Sequence, residues 1–300
     1  VDGLVDRDSR NLTVIAGYEF NPIDNPLLNL EVRLSFSDED VEVTSNDDTF
    51  NSLSPVDHET SRTLLQITNE SIFSFGQVSN TLVAGLEIGT ETREAPSEQA
   101  EGQNSTAAPS GDKDFAAVFL TNEMLIGDLI LTPGLRYETQ TITSQDNEFA
   151  GFGGPGPEDG EEFSDDGGSI GLSARYQLND TFAVFGTAAY SENLPIFDDL
   201  RTFANGPEAE IFNKEKARSF EIGLNYAGES AFVEGDTLKF EVVAFQNALW
   251  SVTSYSGIDR IEIYGAEVEA SYSHPTNWDV DVNAYLVRAE YATIVPDEVL

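Results

Sequence analysis

The feature that most constrains this chain is a long series of period-two segments. Apolar and polar residues alternate in about a dozen runs bounded by Gly, Pro, Asn and Asp, whereas helical periodicity is hard to find. Most runs hold 11 to 15 residues, against about 5 to 6 in globular sheets and about 9 to 11 for a strand that crosses a membrane. The predicted strands are Arg10 to Phe20, Leu27 to Ser37, Glu59 to Phe75, Asn80 to Thr92, Asp114 to Ile126, Leu129 to Ile142, Gly168 to Leu178, Thr181 to Ser191, Lys216 to Ala227, Thr237 to Leu249, Asp259 to Ser273 and Asn277 to Tyr291.

The connections between these runs alternate in length. Short ones are NPIDNP at 21–26, SFGQVS, Gly127-Asp128, Asn179-Asp180, a medium 228–236 and HPTN at 274–277. Between them fall the long connections 38–58, 93–113, 143–167 and 192–215, and a shorter one at 251–258. Outer-membrane barrels have this asymmetry, with short turns on one side and long loops on the other. The spacing therefore predicts an all-β protein, an antiparallel up-and-down membrane β-barrel.

Charged residues recur at i, i+2 within the runs, which places both members of a pair on one face of a strand. The pairs include Glu31 and Arg33, and Arg288 and Glu290. Leu30, Val32 and Leu34 mark an opposite, apolar face. A polar lumen with a lipid-facing surface gives this pattern. A soluble sandwich gives the same alternation, so strand length is what favours the barrel. The residues predicted to face the lumen are Arg136, Glu138, Lys239, Glu241, Glu267, Glu269, Asp279 and Asp281.

Aromatic residues concentrate near the ends of the runs, as in Tyr18, Tyr176, Tyr190, Tyr226 and Trp278. Girdles of aromatics at the two membrane interfaces have this placement. The general preference of aromatics for strands explains it equally well.

Composition excludes several classes. Fifty-four acids against 15 bases give a formal net charge of -39, which repels nucleic acid. The chain has no cysteine, so it has neither a disulfide framework nor a thiolate nucleophile. No window approaches the roughly 18 apolar residues of a membrane-spanning helix. No constellation of nucleophile and base is evident, so we expect no enzyme activity.

Four segments together resemble TonB-dependent outer-membrane receptors. LILTPGLRYE at 129–138 resembles the repeated arginine-tyrosine strand of that family, and TFAVFGTAAYSENLPIFDDL at 181–200 its strand and proline-bearing loop. KEKARSFEIGLNY at 214–226 resembles its glutamate-glycine-leucine strand. IEIYGAEVEASYS at 261–273 resembles its glycine, any residue, glutamate element, with Gly265 and Glu267 at the matching positions.

The resemblance implies about 12 strands from the central part of a barrel that has about 22 strands. Residues 1–300 then form part of one barrel domain, without the N-terminal plug and the C-terminal closing strands. It further implies a receptor in the bacterial outer membrane, in contact with outer-membrane lipid, that takes up a scarce nutrient. A ferric siderophore or other iron chelate is the first expectation, ahead of haem and cobalamin. Energy would come from the TonB complex through the missing N-terminal segment, and no cofactor is expected.

Two other classes remain open. The first is a secreted or surface acidic β-rich adhesion or calcium-binding protein whose apolar faces form a sandwich core. The second is a passive porin, which a plug domain upstream would distinguish from a receptor.

Candidate site residues lie in the long connections. Phe197, Arg201 and Phe203 are candidates for contact with an anionic ferric chelate. His58 is a candidate axial ligand for haem iron. The acidic stretch GPGPEDGEEFSDDGG at 154–168 is most simply a solvated external loop. The alternative for its carboxylates is a calcium site of oxygen ligands, at Asp159, Glu161, Asp165 and Asp166.

Overall fold

In the described part of the chain, twelve antiparallel strands form one sheet. The structure, a computed structural model, describes residues 5–45, 58–95, 109–145, 157–200, 214–250 and 258–293. The strands are β1 (Val5–Phe20), β2 (Asn29–Ser45), β3 (His58–Phe75), β4 (Val78–Glu94), β5 (Ser110–Ile126), β6 (Leu129–Gln145), β7 (Glu162–Gln177), β8 (Phe182–Asn193), β9 (Glu215–Glu229), β10 (Thr237–Trp250), β11 (Ile258–His274) and β12 (Trp278–Thr293). A single turn of 3₁₀ helix, Phe197–Leu200, follows β8.

Each strand pairs with its neighbours in chain order, from β1 to β12. The up-and-down topology and the alternation of short turns with long connections are as predicted. Gly76 and Gly127 open the two-residue turns of β3–β4 and β5–β6 with φ of 62° and 60°, which suits glycine at the first central position of a tight hairpin. Within the described ranges, no helix has the length and apolar character to cross a membrane.

The strands extend further toward the long connections than predicted. β2 continues to Ser45, where the prediction ended at Ser37, and β7 begins at Glu162, where it began at Gly168. The second half of the acidic stretch is therefore strand and not loop. Both extensions are rich in acidic residues and carry few apolar ones, Val41, Val43 and Phe163, so their apolar alternation is weak, but the backbone ladder continues through them, as in the pair Thr143↔Glu162.

The register divides the sheet into two faces. The polar face carries Arg136 and Glu138 of β6, and the apolar face carries Leu135 and Tyr137 between them. On the apolar face, large side chains lie open, with Ile170 at 64% and Ile222 at 68% exposed. An exposed apolar surface that crosses the whole sheet is the pattern of a wall that faces lipid.

Arg288 and Glu290 lie on the apolar face, on which β12 also carries Trp278, Val280 and Val282. The expectation that their i, i+2 spacing puts them with the polar face is wrong. They stand at the long-connection end of β12, where Arg288 lies over the Tyr264 ring at 5.9 Å and the Tyr264 hydroxyl donates to Glu290 at 3.1 Å.

Aromatic side chains form two bands on the apolar face. At the short-turn end, Tyr226 lies 4.8 Å from Phe182 and 5.2 Å from Phe240, measured between ring centroids. Tyr190 and Trp250 mark the other end of the same strands. The distance along each strand is eight residues from Phe182 to Tyr190 and ten from Phe240 to Trp250, close to the length that crosses a bilayer.

On the polar face, four phenylalanine rings lie over glycines of the adjacent strand. The direct partners are Phe119 and Gly85, Phe115 and Gly89, Phe185 and Gly223, and Phe245 and Gly265. A Cβ atom at Gly223 would lie 2.6 Å from Cε1 of Phe185, and one at Gly85 the same distance from Cε1 of Phe119. Each glycine leaves room for the ring to lie against bare backbone.

Candidate functional site

Acidic and basic side chains interlock on the polar face at mid-length of β3, β4 and β6. Arg136 donates to Glu87 at 2.7 Å and to Glu138 at 2.9 Å, so a carboxylate from β4, across the intervening β5, joins one from its own strand. Gln66 of β3 donates to the same Glu87 at 2.9 Å. These groups are partly buried, so charge-assisted hydrogen bonds hold the three side chains in a defined arrangement.

A second set of charges lies nearer the strand ends. Lys113 Nζ lies 3.0 Å from the Glu91 carboxylate, and Arg62 Nε lies 4.0 Å from it. The Phe115 ring lies beneath both cations, 5.0 Å from the Arg62 guanidinium and 5.8 Å from Lys113 Nζ. The aromatic face and the shared carboxylate each attract both cations, and together they hold the two cations at the same place.

The segment 194–200, which follows β8, folds back onto this wall. Its 3₁₀ turn buries Phe197 at 1% and Leu200 at 0% exposed, against Ile142 of β6, with Phe163 of β7 packed on the cluster. These residues form the one cluster of buried apolar side chains found in the part of the chain that the structure describes. The segment is therefore fixed to the polar face by packing.

Polar contacts also hold the segment. Arg93 Nη1 of β4 donates to Asp198 at 2.5 Å, and its guanidinium lies 5.3 Å from the centre of the Phe197 ring. Gln140 donates to the Pro195 carbonyl at 2.6 Å. Burial raises the pKa of Asp199, and the nearby charges of Glu215 and Asp198 add to that rise, although the hydrogen bond from the Ile196 N–H acts against it.

A pocket of about 200 Å³ lies between the segment and the wall. Its lining combines cations, carboxylates, one aromatic ring and the segment backbone: Arg62, Lys113, Arg136, Glu87, Phe115 and Pro195. The pocket offers guanidinium, ammonium and amide donors together with an aromatic face. Such a set can bind a small ligand that carries carboxylate, catecholate or similar oxygen groups.

A second polar hollow of about 460 Å³ lies near the short-turn end of β7 to β12. Arg175 donates to Asn225 at 2.8 Å, and Asn225 in turn donates to Glu241. Lys239, Glu269 and Asp281 complete its charged lining. The two hollows lie on the same face at opposite ends of the strands.

The eight residues expected to face the lumen all lie on the polar face by register. Phe197 is packed under Arg93 and Lys113, so in this arrangement it contacts the wall, and contact with a ligand requires the segment to move. His58 begins β3 opposite Val41 and is half-buried. Arg201 and Phe203 lie outside the described residues. The ligand-contact and haem-ligand roles of these four residues stay predictions.

Two of the four carboxylates predicted to bind calcium lie close to Lys214. Its Nζ lies 3.3 Å from the Asp165 carboxylate and donates to the Asp166 backbone carbonyl at 2.6 Å. The Glu161 carboxylate accepts from the Glu158 N–H at 3.1 Å. Among the residues with a defined position, no group of three or more His, Asp or Glu side chains gathers as a metal site. Calcium binding there stays a prediction.

Sequence reasoning missed Arg62, Glu91, Arg93 and Lys113. Glu91 and Arg93 carry the same i, i+2 signal that pointed to the other charged pairs. The segment itself gave no signal, because contact between residues as far apart as Arg93 and Asp198 depends on the tertiary fold.

The comparisons with known proteins agree with this geometry. Residues 2–297 match the family described as TonB dependent receptor-like, beta-barrel. The haemophore receptor HasR of Serratia marcescens is similar at 18% identity and a TM-score of 0.67, over 95% of this chain and 49% of that one. The ferric-catecholate import receptor Fiu of E. coli K12 is similar at 16% identity and a TM-score of 0.65, over 95% of this chain and 48% of that one. The FrpB iron transporter of Neisseria meningitidis is similar at 17% identity and a TM-score of 0.69, over 98% of this chain and 46% of that one.

No curated protein matches the chain by sequence. The chain spans about half the length of the solved structures that it matches. At these identities the likeness to solved structures establishes the fold, a segment of an up-and-down β-barrel. The family match covers nearly the whole chain, and the chain therefore belongs to the TonB-dependent receptors, as part of their β-barrel.

Proposed function

We propose that this chain forms the substrate-facing wall of a receptor that imports an iron chelate, most simply a ferric siderophore, across the outer membrane. The observation that carries the proposal is the pocket between Arg62, Lys113, Arg136 and the segment 194–200. Three of the chain's 15 bases meet there, although the chain as a whole is strongly acidic. Such a cluster compensates the acidic surroundings locally and binds an anionic chelate.

The similar solved structures support the choice of iron, since their names concern haem, ferric catecholate and iron transport. The family consists of transport receptors, and we infer no catalytic role for the paired carboxylates, which the polar face uses in ion pairs. The TonB complex would act through parts of the receptor outside this chain. Under this proposal the polar face lines the barrel interior, and the apolar face contacts outer-membrane lipid.

The test is uptake of radioactive iron by cells that lack their own receptors and express the full-length protein. Supply of ferric catecholate, ferric hydroxamate, ferric citrate and haem in turn would identify the ligand. We expect the variant R62A/K113A/R136A to lower uptake at least about tenfold, because each lost charged contact is worth about 1.5–3 kcal/mol. Arg33 lies on the polar face outside the pocket, ion-paired with Glu31, so R33A serves as the matched control.

Flotation with outer membranes and heat-modifiable gel mobility must be equal for the wild type and both variants. Normal uptake by the triple variant, at equal receptor level, would refute the pocket as the ligand site. A soluble, secreted product would refute the receptor and favour the adhesion protein.

A further inference from the structure

Cationic side chains gather on the apolar face at the long-connection end of β9 to β12. Lys214, Lys216, Arg218, Arg260 and Arg288, five of the chain's 15 bases, lie there or immediately before it. Three glutamates share the patch, and Asp165 lies 3.3 Å from Lys214 Nζ. Glu192 lies 4.0 Å from Lys216 Nζ, Glu262 pairs with Arg260, and Glu290 lies 2.7 Å from Arg288. The patch is thus far richer in cations than the rest of this acidic chain.

The centre of the patch is Trp250. The guanidinium groups of Arg218 and Arg260 each lie 5.4 Å from the centre of the indole ring, and Arg218 also lies 5.3 Å from the Phe220 ring. None of the ion pairs among the described residues includes Arg218. A guanidinium held by aromatic rings on a lipid-facing wall, without a carboxylate partner, is costly unless an anion joins it.

An apolar groove of about 460 Å³ runs from this patch across the apolar face of β5 to β9. Arg218, Tyr190 and Phe220 line its upper end, and Leu135, Leu172 and Ala188 line its floor. The groove and the cation cluster therefore share Arg218. Its lining is almost wholly apolar along the remaining length, which suits a hydrocarbon chain and not a polar ligand.

We propose that this surface binds one phosphorylated, acylated lipid of the outer leaflet. A phosphate oxygen accepts hydrogen bonds from the guanidinium groups of Arg218 and Arg260, and one acyl chain occupies the groove. The cation cluster lies at the level expected for lipid phosphates, because Tyr190 and Trp250 belong to the aromatic band that marks the long-connection end of the membrane-crossing strands. Charge complementarity selects a phosphate, since guanidinium binds it through two parallel hydrogen bonds. The inference concerns the outer wall and does not depend on which ligand the receptor imports.

The test uses the full-length receptor, purified in detergent and analysed by native mass spectrometry with added diphosphoryl lipid A. There are two comparison probes. One is the same lipid after removal of its phosphates, and the other is inorganic phosphate. We expect the phosphorylated lipid to bind at least about tenfold more tightly than the dephosphorylated one, and R218A/R260A to abolish that preference. A188F, which fills the groove, should weaken binding of the phosphorylated lipid to a similar degree.

Two control variants match these changes. Arg10 is a cation at the same end of the same face, next to Asp8 at 3.5 Å, and Ala284 is an exposed small residue of that face on β12. R10A and A284F should bind the lipid within about twofold of the wild type. Equal binding of the dephosphorylated lipid, unchanged binding by A188F, or displacement of the lipid by inorganic phosphate at low millimolar concentration would overturn the proposal.

Discussion

The hydroxyl of Tyr272 donates a hydrogen bond at 3.0 Å to the carboxylate of Asp236, which is fully buried in the turn between β9 and β10. The same carboxylate accepts from the backbone N–H groups of Ala231, Phe232 and Val233 at 2.6, 2.9 and 2.8 Å. One side chain thus closes a seven-residue turn at 230–236 and joins it to β11, which is not adjacent to that turn in sequence.

Replacing Asp236 with Asn should destabilise the barrel, because an amide puts an NH₂ donor against N–H donors and removes the charge that they satisfy. The measurement is the temperature at which the folded, fast-migrating band is lost on gels. Y272F removes only one of the four donors and should have a smaller effect. A D236N protein as heat-resistant as the wild type would show that the turn does not need the carboxylate.

The same residue gives a pH prediction. Burial by itself raises the pKa of Asp236, but the hydrogen bonds from Val233, Phe232, Tyr272 and Ala231 outweigh it and hold the pKa below its ordinary value of 3.8. A lowered pKa stabilises the folded state above pH 3.8, and this contribution is lost as the pH falls below that value. The difference in melting temperature between wild type and D236N should therefore be constant from pH 5 to pH 8 and shrink below about pH 4.

Gly223 and Phe185 offer a test of the rings that lie over glycines. All three atoms nearest to a Cβ at Gly223 belong to the Phe185 ring, so G223A should destabilise the protein by about 1–3 kcal/mol through overpacking. A smaller side chain at position 185 should relieve the conflict. In a double-mutant cycle of thermal stability, F185L should recover most of the loss, and simple additivity of the two changes would contradict the contact.

Gly265 should tolerate alanine less well than Gly223. A Cβ there would meet the backbone carbonyl of Leu286 and would also lie 2.9 Å from Cζ of Phe245. A backbone carbonyl in a paired strand cannot move away as a side chain can. We expect loss of folded barrel, or a melting temperature well below that of G223A. Gly171 is the matched control, because its Cβ would meet nothing closer than 3.8 Å.

Arg93 should control whether the segment 194–200 stays on the wall. R93A removes a cation–π contact worth about 0.5–1 kcal/mol and a partly exposed ion pair worth up to about 1 kcal/mol, so opening should increase roughly tenfold. The chain has no cysteine, so L200C, at a fully buried position, reports opening through its rate of maleimide labelling. I23C, at a fully exposed turn position, should label equally fast with and without R93A.

Much of the fold was predictable from the sequence. Alternation and connection lengths gave the order of the strands, and the i, i+2 charges from Arg136 to Asp281 gave the polar face, because side-chain direction in a strand has a period of exactly two. The strand ends were not predictable. At 38–45 and 162–167 acidic residues outnumber the apolar ones, Val41, Val43 and Phe163, so the apolar alternation is weak while backbone pairing persists.

The candidate site was only partly predictable for a different reason. Arg136 and Glu138 were identified from local spacing, but the placement of Asp198 beside Arg93, 105 positions away, depends on how a long connection folds over the sheet. Arg288 and Glu290 show the limit of the spacing rule. It places two charges on one face together, but it does not say which face that is.

The four phenylalanine rings of the polar face lie over the glycines of the adjacent strands. A phenylalanine that pointed away from the sheet would project into the space beside the wall, whereas these rings lie next to the glycine backbone of the adjacent strand. A bulky body that slides along such a wall meets few obstacles between one charged cluster and the next. Resistance to movement would then come from the ion-paired side chains, such as Glu87, which lies on β4 between Gly85 and Gly89 and pairs with Arg136, whereas the phenylalanine rings beside them would offer few obstacles.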